Sequence, residues 1–176
     1  QIHVNTGSVE IGDNVQVHNL QVVTNAGAVI WKEGGGYFDG RAEVLTNSGF
    51  IHIDNLEFSG ELKAGTNTGV ISLSNLYGQG RVEVDNVWGL THLEYLNTPI
   101  VIVNSDSAHI CVKDEWENAE IRLQSKMGAY SFELESYTLS EDGNTYTVTV
   151  GTNQDALQKL YVITTVSGTV TLMEDN

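Results

Sequence analysis

The sequence predicts an all-β fold, a single-stranded right-handed parallel β-helix (β-solenoid) of about eight stacked coils with roughly 20 residues each. Three observations predict it. Glycine recurs about every 20 residues, the same turn motif precedes it, and apolar residues alternate with period two on both sides of it. A two-sheet sandwich also has short strands but has no reason to keep this period, so the solenoid is preferred.

The repeat is anchored on a glycine that, in the first four of five repeats, closes an Asn-x-Gly turn. The anchors Gly7, Gly27, Gly49, Gly69 and Gly89 are 20, 22, 20 and 20 residues apart. Glycine adopts positive φ without a Cβ clash and asparagine tolerates it, so the motif is typical of a tight turn. Because asparagine recurs at one position, a ladder of stacked side-chain amides is also expected.

Apolar residues around each anchor predict two strands per coil, each with one face inward. Those two and four residues after the anchors are Val9/Ile11, Val29/Trp31, Ile51/Ile53, Ile71/Leu73 and Thr91/Leu93. Those seven and five residues before them are Leu20/Val22, Ala42/Val44, Leu62/Ala64 and Val82/Val84, and a third inward position holds Leu56, Leu76 and Leu96. These columns should form the core.

The second half keeps the register with weaker anchors at Ala108, Gly128 and Gly168. Between them, residues 133–158 break the pattern and read as a hairpin-like segment around a Ser-Glu-Asp-Gly-Asn turn. We therefore expect one domain over residues 1–176, with regular coils at 1–132, the irregular segment at 133–158 and a final coil at 159–172. The Gly34-Gly35-Gly36 run, in a coil with two extra residues, predicts a bulged turn.

Two outward faces differ in character. On one, charges alternate both along and between strands, which predicts a salt-bridged checkerboard of Arg41, Glu61, Arg81, Glu43, Lys63 and Glu83. On the other, the row one residue after the anchors is partly apolar and reads Ala28, Phe50, Val70 and Leu90. Such a face implies cover by the irregular segment, by another chain or by a ligand.

The candidate binding residues are His92, His109, Cys111, Trp88 and Trp116. The register places Cys111 beside His92, with His109 on the same strand and face, and imidazole with thiolate could bind zinc or activate the thiol. No fourth ligand is evident, so polar surface residues are the preferred interpretation and no metal site is assigned. Trp88 and Trp116 could be exposed platforms on which a sugar stacks.

A carboxylate row could in principle support catalysis. Asp54 and Glu94 are two coils apart, near the roughly 6.5–9.5 Å that separates the carboxyl groups of inverting glycosidases. Such a row also arises at polar turns, and no nucleophile elbow, phosphate-binding loop or zinc-protease helix motif occurs. We expect no catalytic residues and no cofactor.

Charge limits the possible partners. The chain has 8 Lys and Arg against 23 Asp and Glu, a formal net charge of −15. This argues against nucleic acid, whose phosphates need clustered cations, and against adsorption to anionic membranes. No apolar run approaches the roughly 18 residues of a membrane span, so membrane insertion by this domain is not expected. The single Cys111 leaves no internal disulfide.

The repeated Thr-Asn-x-Gly motif with alternating apolar residues resembles the adhesin-like β-solenoid domains of bacterial surface proteins, related to the head-GIN autotransporter adhesins. Gly7-Ser8-Val9-Glu10-Ile11 and Ser167-Gly168-Thr169-Val170-Thr171-Leu172 carry the resemblance most clearly. It implies an extracytoplasmic location, in the cell envelope or secreted, with any targeting segment removed. It supplies no catalytic residues.

Three functions remain as hypotheses. The first is a non-catalytic, adhesion-like binding module with a protein or glycan partner at the cell surface. The second is a structural or self-assembling scaffold, in which a solenoid edge or the apolar face makes a homo-oligomer. The third is a polysaccharide-active enzyme.

Overall fold

The computed structural model describes residues 1–31, 36–116, 118–151 and 158–175. It confirms the fold class, since 79% of the described residues are in strands, none of them is in a helix, and the strands stack as coils of a mostly parallel β-solenoid. The strands are β1 (Ile2–Thr6), β2 (Val9–Ile11), β3 (Val15–Val17), β4 (Leu20–Trp31), β5 (Gly36–Phe38), β6 (Arg41–Phe58), β7 (Glu61–Gly78), β8 (Arg81–Asn97), β9 (Ile100–Asp114), β10 (Ala119–Ser125), β11 (Ala129–Glu133), β12 (Thr138–Asp142), β13 (Thr145–Val150), β14 (Lys159–Thr165) and β15 (Thr169–Glu174).

The centre of the solenoid is a stack of long strands that bend around the coil. Strands β4, β6, β7, β8 and β9 follow one another in chain order and pair in parallel. Their anchors pair in register from Gly27 through Gly49, Gly69 and Gly89 to Ala108. The register predicted from the 20-residue period is therefore confirmed.

The number of turns was overestimated. The solenoid has about five turns, whereas about eight were expected. These turns correspond to the five long strands, since the strands at both ends of the stack are shorter. At the amino-terminal end β1 and β2 pair with β4, and β3 pairs with β5.

The carboxy-terminal coils do not stack in chain order. Strands β14 and β15, residues 159–174, pair with β9 on one side and with β10 and β11 on the other. The last coil is thus inserted between the two coils that precede it. The expectation that the Gly128 coil follows the Ala108 coil directly is wrong, since the Gly168 coil lies between them.

The irregular segment contains the predicted hairpin. Strands β12 and β13 are antiparallel around Gly143, whose φ is 62°, and β13 pairs antiparallel with β10. The hairpin therefore extends the sheet at the end of the stack and covers the edge of β10. It does not cover the apolar outer face, where Phe50 and Leu90 remain 36% and 37% exposed.

The core is the set of inward columns. Every residue at those positions from Val9 to Val112 is buried except Leu20, which is half-buried. In the end coil Tyr130 and Phe132 are half-buried, and Tyr146 from the hairpin packs edge-on against Tyr130 at 5.2 Å between ring centroids. The hairpin thus closes the apolar end of the column that parallel stacking leaves open.

Two turn devices hold the anchor position. At the first five anchor positions the glycine has positive φ, from 119° at Gly7 to 158° at Gly49. At the last three anchor positions, the backbone N–H of the anchor donates to a hydroxyl three residues earlier, a local Ser/Thr turn. These pairs are Ala108 with Ser105, Gly168 with Thr165 and Gly128 with Ser125, at 2.8, 2.9 and 2.6 Å.

The outward ladders also match expectation. Asn67 donates to Asn47, Asn47 to Asn25 and Asn25 to Asn5, at 2.7, 3.2 and 3.4 Å. In the checkerboard Lys63 bonds Glu83 at 2.6 Å and Arg81 bonds Glu61 at 2.7 Å.

Gly34 and Gly35 of the predicted bulged turn lie outside the described residues, and Gly36 begins β5. In the described part of the chain, no helix has the length and apolar character to cross a membrane.

Candidate functional site

The two tryptophans proposed as sugar platforms have different environments. Trp88 is 57% exposed on the outer surface of β8. Trp116 is 5% exposed, packs edge-on against Tyr161, and donates its indole N–H to the Met173 carbonyl at 2.7 Å. Only Trp88 therefore presents a face to solvent, and Trp116 is a core residue.

The His–Cys cluster is only partly assembled. Cys111 pairs directly with His92 on the neighbouring strand, as predicted. His109 lies on the same strand and face as Cys111, as predicted, and its ring hydrogen-bonds Thr169 of the inserted coil. Burial, with smaller contributions from Glu133 and Glu94, raises the pKa of the Cys111 thiol, which is the opposite of an activated thiolate.

In the described ranges no three His, Cys, Asp or Glu side chains converge to hold a metal ion. The row of carboxylates is engaged in hydrogen bonds. Asp54 accepts from Ser74 at 2.6 Å and from Asn75 at 2.9 Å, and Glu94 accepts from Lys113 at 3.3 Å. Glu133, five residues after the Gly128 anchor, has the same repeat position as Lys113, but the two are not neighbours because Met173 of the inserted coil pairs with both.

A row of exposed polar and aromatic side chains crosses the third side of the coil. It consists of Tyr37, Glu57, Tyr77 and Asn97, which pair in register from β5 to β8. Tyr37 is 39% exposed and Tyr77 is 47% exposed. We call this row and the depression along it the tyrosine trough.

The trough is formed by two adjoining depressions that share Tyr77 and Asn97, with volumes of about 390 and 470 Å³. The first is also lined by Tyr37, Ser59 and Gln79. The second reaches the end of the stack, and its further lining residues are Asn75, Tyr95, Asp114, Glu115, Gln158, Lys159 and Asp175.

Tyr95 forms one wall in an unusual backbone conformation. Its φ is 52°, at the position where the two preceding coils have Asn55 and Asn75 at 54° and 51°. Asparagine tolerates this region, whereas a bulky side chain there is uncommon and strained. The Tyr95 hydroxyl hydrogen-bonds Asp175, which raises the pKa of Tyr95, and the Lys113 ammonium lies 5.3 Å from the ring centroid.

A buried ion pair closes the far end of the trough. Asp114 is 2% exposed, and both of its carboxylate oxygens lie 2.9 Å from the Lys159 ammonium. The Tyr161 hydroxyl donates to the same carboxylate at 2.6 Å. Burial, and then the Asp114 charge, raise the pKa of Tyr161 well above its ordinary value. The charges of Asp114 and Lys159 therefore cancel, and the Tyr161 hydroxyl is fixed by its hydrogen bond to Asp114.

A separate depression, outside the tyrosine trough, follows the asparagine ladder. It has a volume of about 720 Å³ and lies between the ladder and the row containing Val23 and Leu45. The ladder amides are already paired with one another, and no Tyr, Trp or Phe side chain among the described residues lines this groove. Because exposed tyrosines line the tyrosine trough, we take that trough as the candidate site.

Sequence reasoning missed the trough. Glu57 and Tyr77 both lie eight residues after their anchors, but Tyr37 lies ten after Gly27, because that coil has two extra residues. The 40-residue interval between Tyr37 and Tyr77, twice the period, is the signal that could have placed them in one row.

Comparisons of the chain with protein-family models, with curated proteins and with solved structures each find no match.

Proposed function

We propose that this chain is a non-catalytic, adhesion-like binding module of a bacterial envelope protein, and that it holds an extended ligand along the tyrosine trough. The observation that carries the proposal is the exposure of Tyr37 and Tyr77 on one row of the solenoid, two coils apart in an open depression. Neither tyrosine side chain is part of the buried core. Exposed aromatic side chains of this kind are enriched at binding surfaces.

Rigidity supports recognition. The row is built on β5 to β8, and its first three residues, Tyr37, Glu57 and Tyr77, are paired with a strand on both sides. The ligand would therefore meet side chains whose spacing is already fixed, and little conformational entropy would be lost on binding.

The chemistry of the trough supports binding over catalysis. A general acid or base works best with a pKa near the working pH and with access to the substrate. Here the Asp114 carboxylate accepts hydrogen bonds from Lys159 and Tyr161. The pKa of Tyr161 is raised well above its ordinary value, so its hydroxyl keeps its proton. Asp54, one of the two carboxylates considered for a glycosidase, is 8% exposed.

The capped end of the stack disfavours a scaffold that grows end to end. The hairpin of β12 and β13 occupies the edge of β10, where a further coil would add. The exposed strand β12 presents Glu141 and Asp142, and charged residues at a sheet edge oppose edge-to-edge association.

The test is adhesion of the fluorescently labelled domain to bacterial and host cells, measured by flow cytometry. The Tyr37→Ala/Tyr77→Ala variant should lose most of the cell binding that the unmodified domain shows. The matched control is Trp88→Ala, which removes an exposed aromatic outside the trough and should bind normally. Circular dichroism should show that all three proteins are folded. Absence of binding, or equal binding by the double variant, would contradict the proposal.

A further inference from the structure

The tyrosine trough repeats at the spacing of the coils. One side chain of the row comes from each coil, and neighbouring parallel strands are about 4.8 Å apart. The rings of Tyr37 and Tyr77, two coils apart, are therefore separated by roughly 9.6 Å along the solenoid axis. A ligand that contacts both rings must extend over two coils along the axis, which suits a chain that runs parallel to the axis with one unit per coil.

The side chains of the trough suit a ligand with flat apolar faces and hydroxyl-rich edges. Tyr37 and Tyr77 offer aromatic faces, while Ser59, Gln79 and Asn97 offer hydroxyl and amide groups beside them. Pyranose rings have this combination, with C–H groups on their faces and hydroxyls around their rims. The length of a pyranose unit in an extended chain is also close to the spacing between neighbouring coils along the solenoid axis.

Charge argues for an uncharged chain. The trough contains the exposed carboxylate of Glu57 and, at its end, that of Glu115. Its nearby cations are neutralised, Lys159 by Asp114 and Lys113 by Asp175 at 2.8 Å. With a net charge of −15 on the whole chain, uronate, sulfate or phosphate groups would be repelled.

Backbone geometry argues against an extended peptide. Peptides bound as an added strand need a free sheet edge with unpaired N–H and C=O groups. Beneath Tyr37, Glu57 and Tyr77 the strands are paired on both sides and offer no such edge. Asn97 at the end of the row is paired on one side alone, which is too short an edge for an added strand.

We infer that the ligand of the tyrosine trough is a linear, uncharged polysaccharide whose chain runs parallel to the solenoid axis, with sugar rings stacked on Tyr37 and Tyr77. This inference rests on the proposed function and specifies its ligand. Glu57, between the two tyrosines, would accept hydrogen bonds from the hydroxyls of the intervening sugar.

The experiment is isothermal titration calorimetry with linear oligosaccharides of glucose, of mannose and of N-acetylglucosamine, and with oligogalacturonate as an acidic counterpart. At least one neutral series should bind, with affinity that rises until the chain spans both tyrosines. Tyr77→Ala should weaken that binding at least tenfold, whereas Tyr77→Phe, which keeps the aromatic face, should stay within threefold. Trp88→Ala should leave the affinity unchanged.

Cell binding separates failure of this inference from failure of the proposed function. Periodate oxidation of the cells should abolish trough-dependent adhesion, and protease treatment should not. Adhesion that depends on Tyr37 and Tyr77 but is protease-sensitive, together with no binding of neutral oligosaccharides, would overturn the inference and leave the binding function in place. Preference for oligogalacturonate would likewise overturn it.

Discussion

Gly69 lies against Gly49 in the glycine column so closely that a Cβ on Gly69 would overlap the Gly49 carbonyl oxygen. Gly69 also has a φ of +154°. Gly69→Ala should therefore lower the free energy of unfolding by about 3 kcal/mol or more, because steric overlap adds to backbone strain. Chemical denaturation followed by circular dichroism measures it.

Gly12→Ala is the matched control for this change. A Cβ there meets no atom within 4 Å, so its effect should stay within about 0.5 kcal/mol. Equal stability of the two variants would mean that the coils do not stack glycine on glycine.

The inserted coil makes Thr171 the direct neighbour of Cys111, and Ser131 the neighbour of Thr171. Thr171→Cys should form a disulfide with Cys111 under mild oxidation, since directly paired residues on adjacent strands lie within bonding reach. Non-reducing mass spectrometry of tryptic peptides detects the bond. In Ser131→Cys the two thiols are two coils apart and should stay reduced. The reverse pattern would show that the coils stack in chain order.

The sequence period predicts which residues share a column, but it does not predict the order in which the coils stack. Gly128 lies 20 residues after Ala108, and Gly168 lies 60 after it, so both fit the same column. Every coil supplies similar aliphatic columns, and the period therefore does not distinguish which coil stacks on Ala108. The specific contacts of the inserted coil, such as Trp116 with Met173, join residues far apart in sequence and have no periodic signal.

Residues of the candidate sites could be predicted from the sequence only where the repeat register places them on neighbouring strands. The adjacency of His92 and Cys111 follows from the register, and the structure has it. The buried pair of Asp114 and Lys159 forms because the inserted coil brings them together across 45 residues. No local pattern marks either residue, so sequence reasoning had no means to find this end of the trough.

Asp114→Ala should be strongly destabilising. It leaves the Lys159 ammonium, 14% exposed, without its counter-ion and removes the acceptor of the Tyr161 hydroxyl. Removing one partner of a buried ion pair costs about 3–5 kcal/mol. Thermal and urea denaturation measure the loss.

Glu94→Gln is the control, since it weakens the exposed Glu94–Lys113 pair and should cost less than about 1 kcal/mol. If Asp114→Ala were as mild, the buried ion pair would have no structural role.

The checkerboard predicts a small pH dependence. The hydrogen bond from Arg81 lowers the pKa of Glu61, so the ionised carboxylate stabilises the fold above its unfolded-state pKa. This stability is lost as the pH falls through the lower folded-state pKa. Because both side chains are partly exposed, Glu61→Gln should cost less than about 1 kcal/mol near neutral pH.

In acid the wild type and Glu61→Gln should become equally stable, and high salt should reduce the neutral-pH difference. Urea denaturation at a series of pH values measures this. A difference that grows on acidification would contradict the assigned direction of the pKa.

The most direct test of the account is a nuclear magnetic resonance titration of the isotope-labelled domain with the neutral oligosaccharide that binds best. If the ligand binds along the tyrosine trough, chemical-shift changes should concentrate at Tyr37, Glu57, Tyr77 and Asn97. Changes centred instead on Trp88, His92 and Cys111, or along the asparagine ladder, would contradict it.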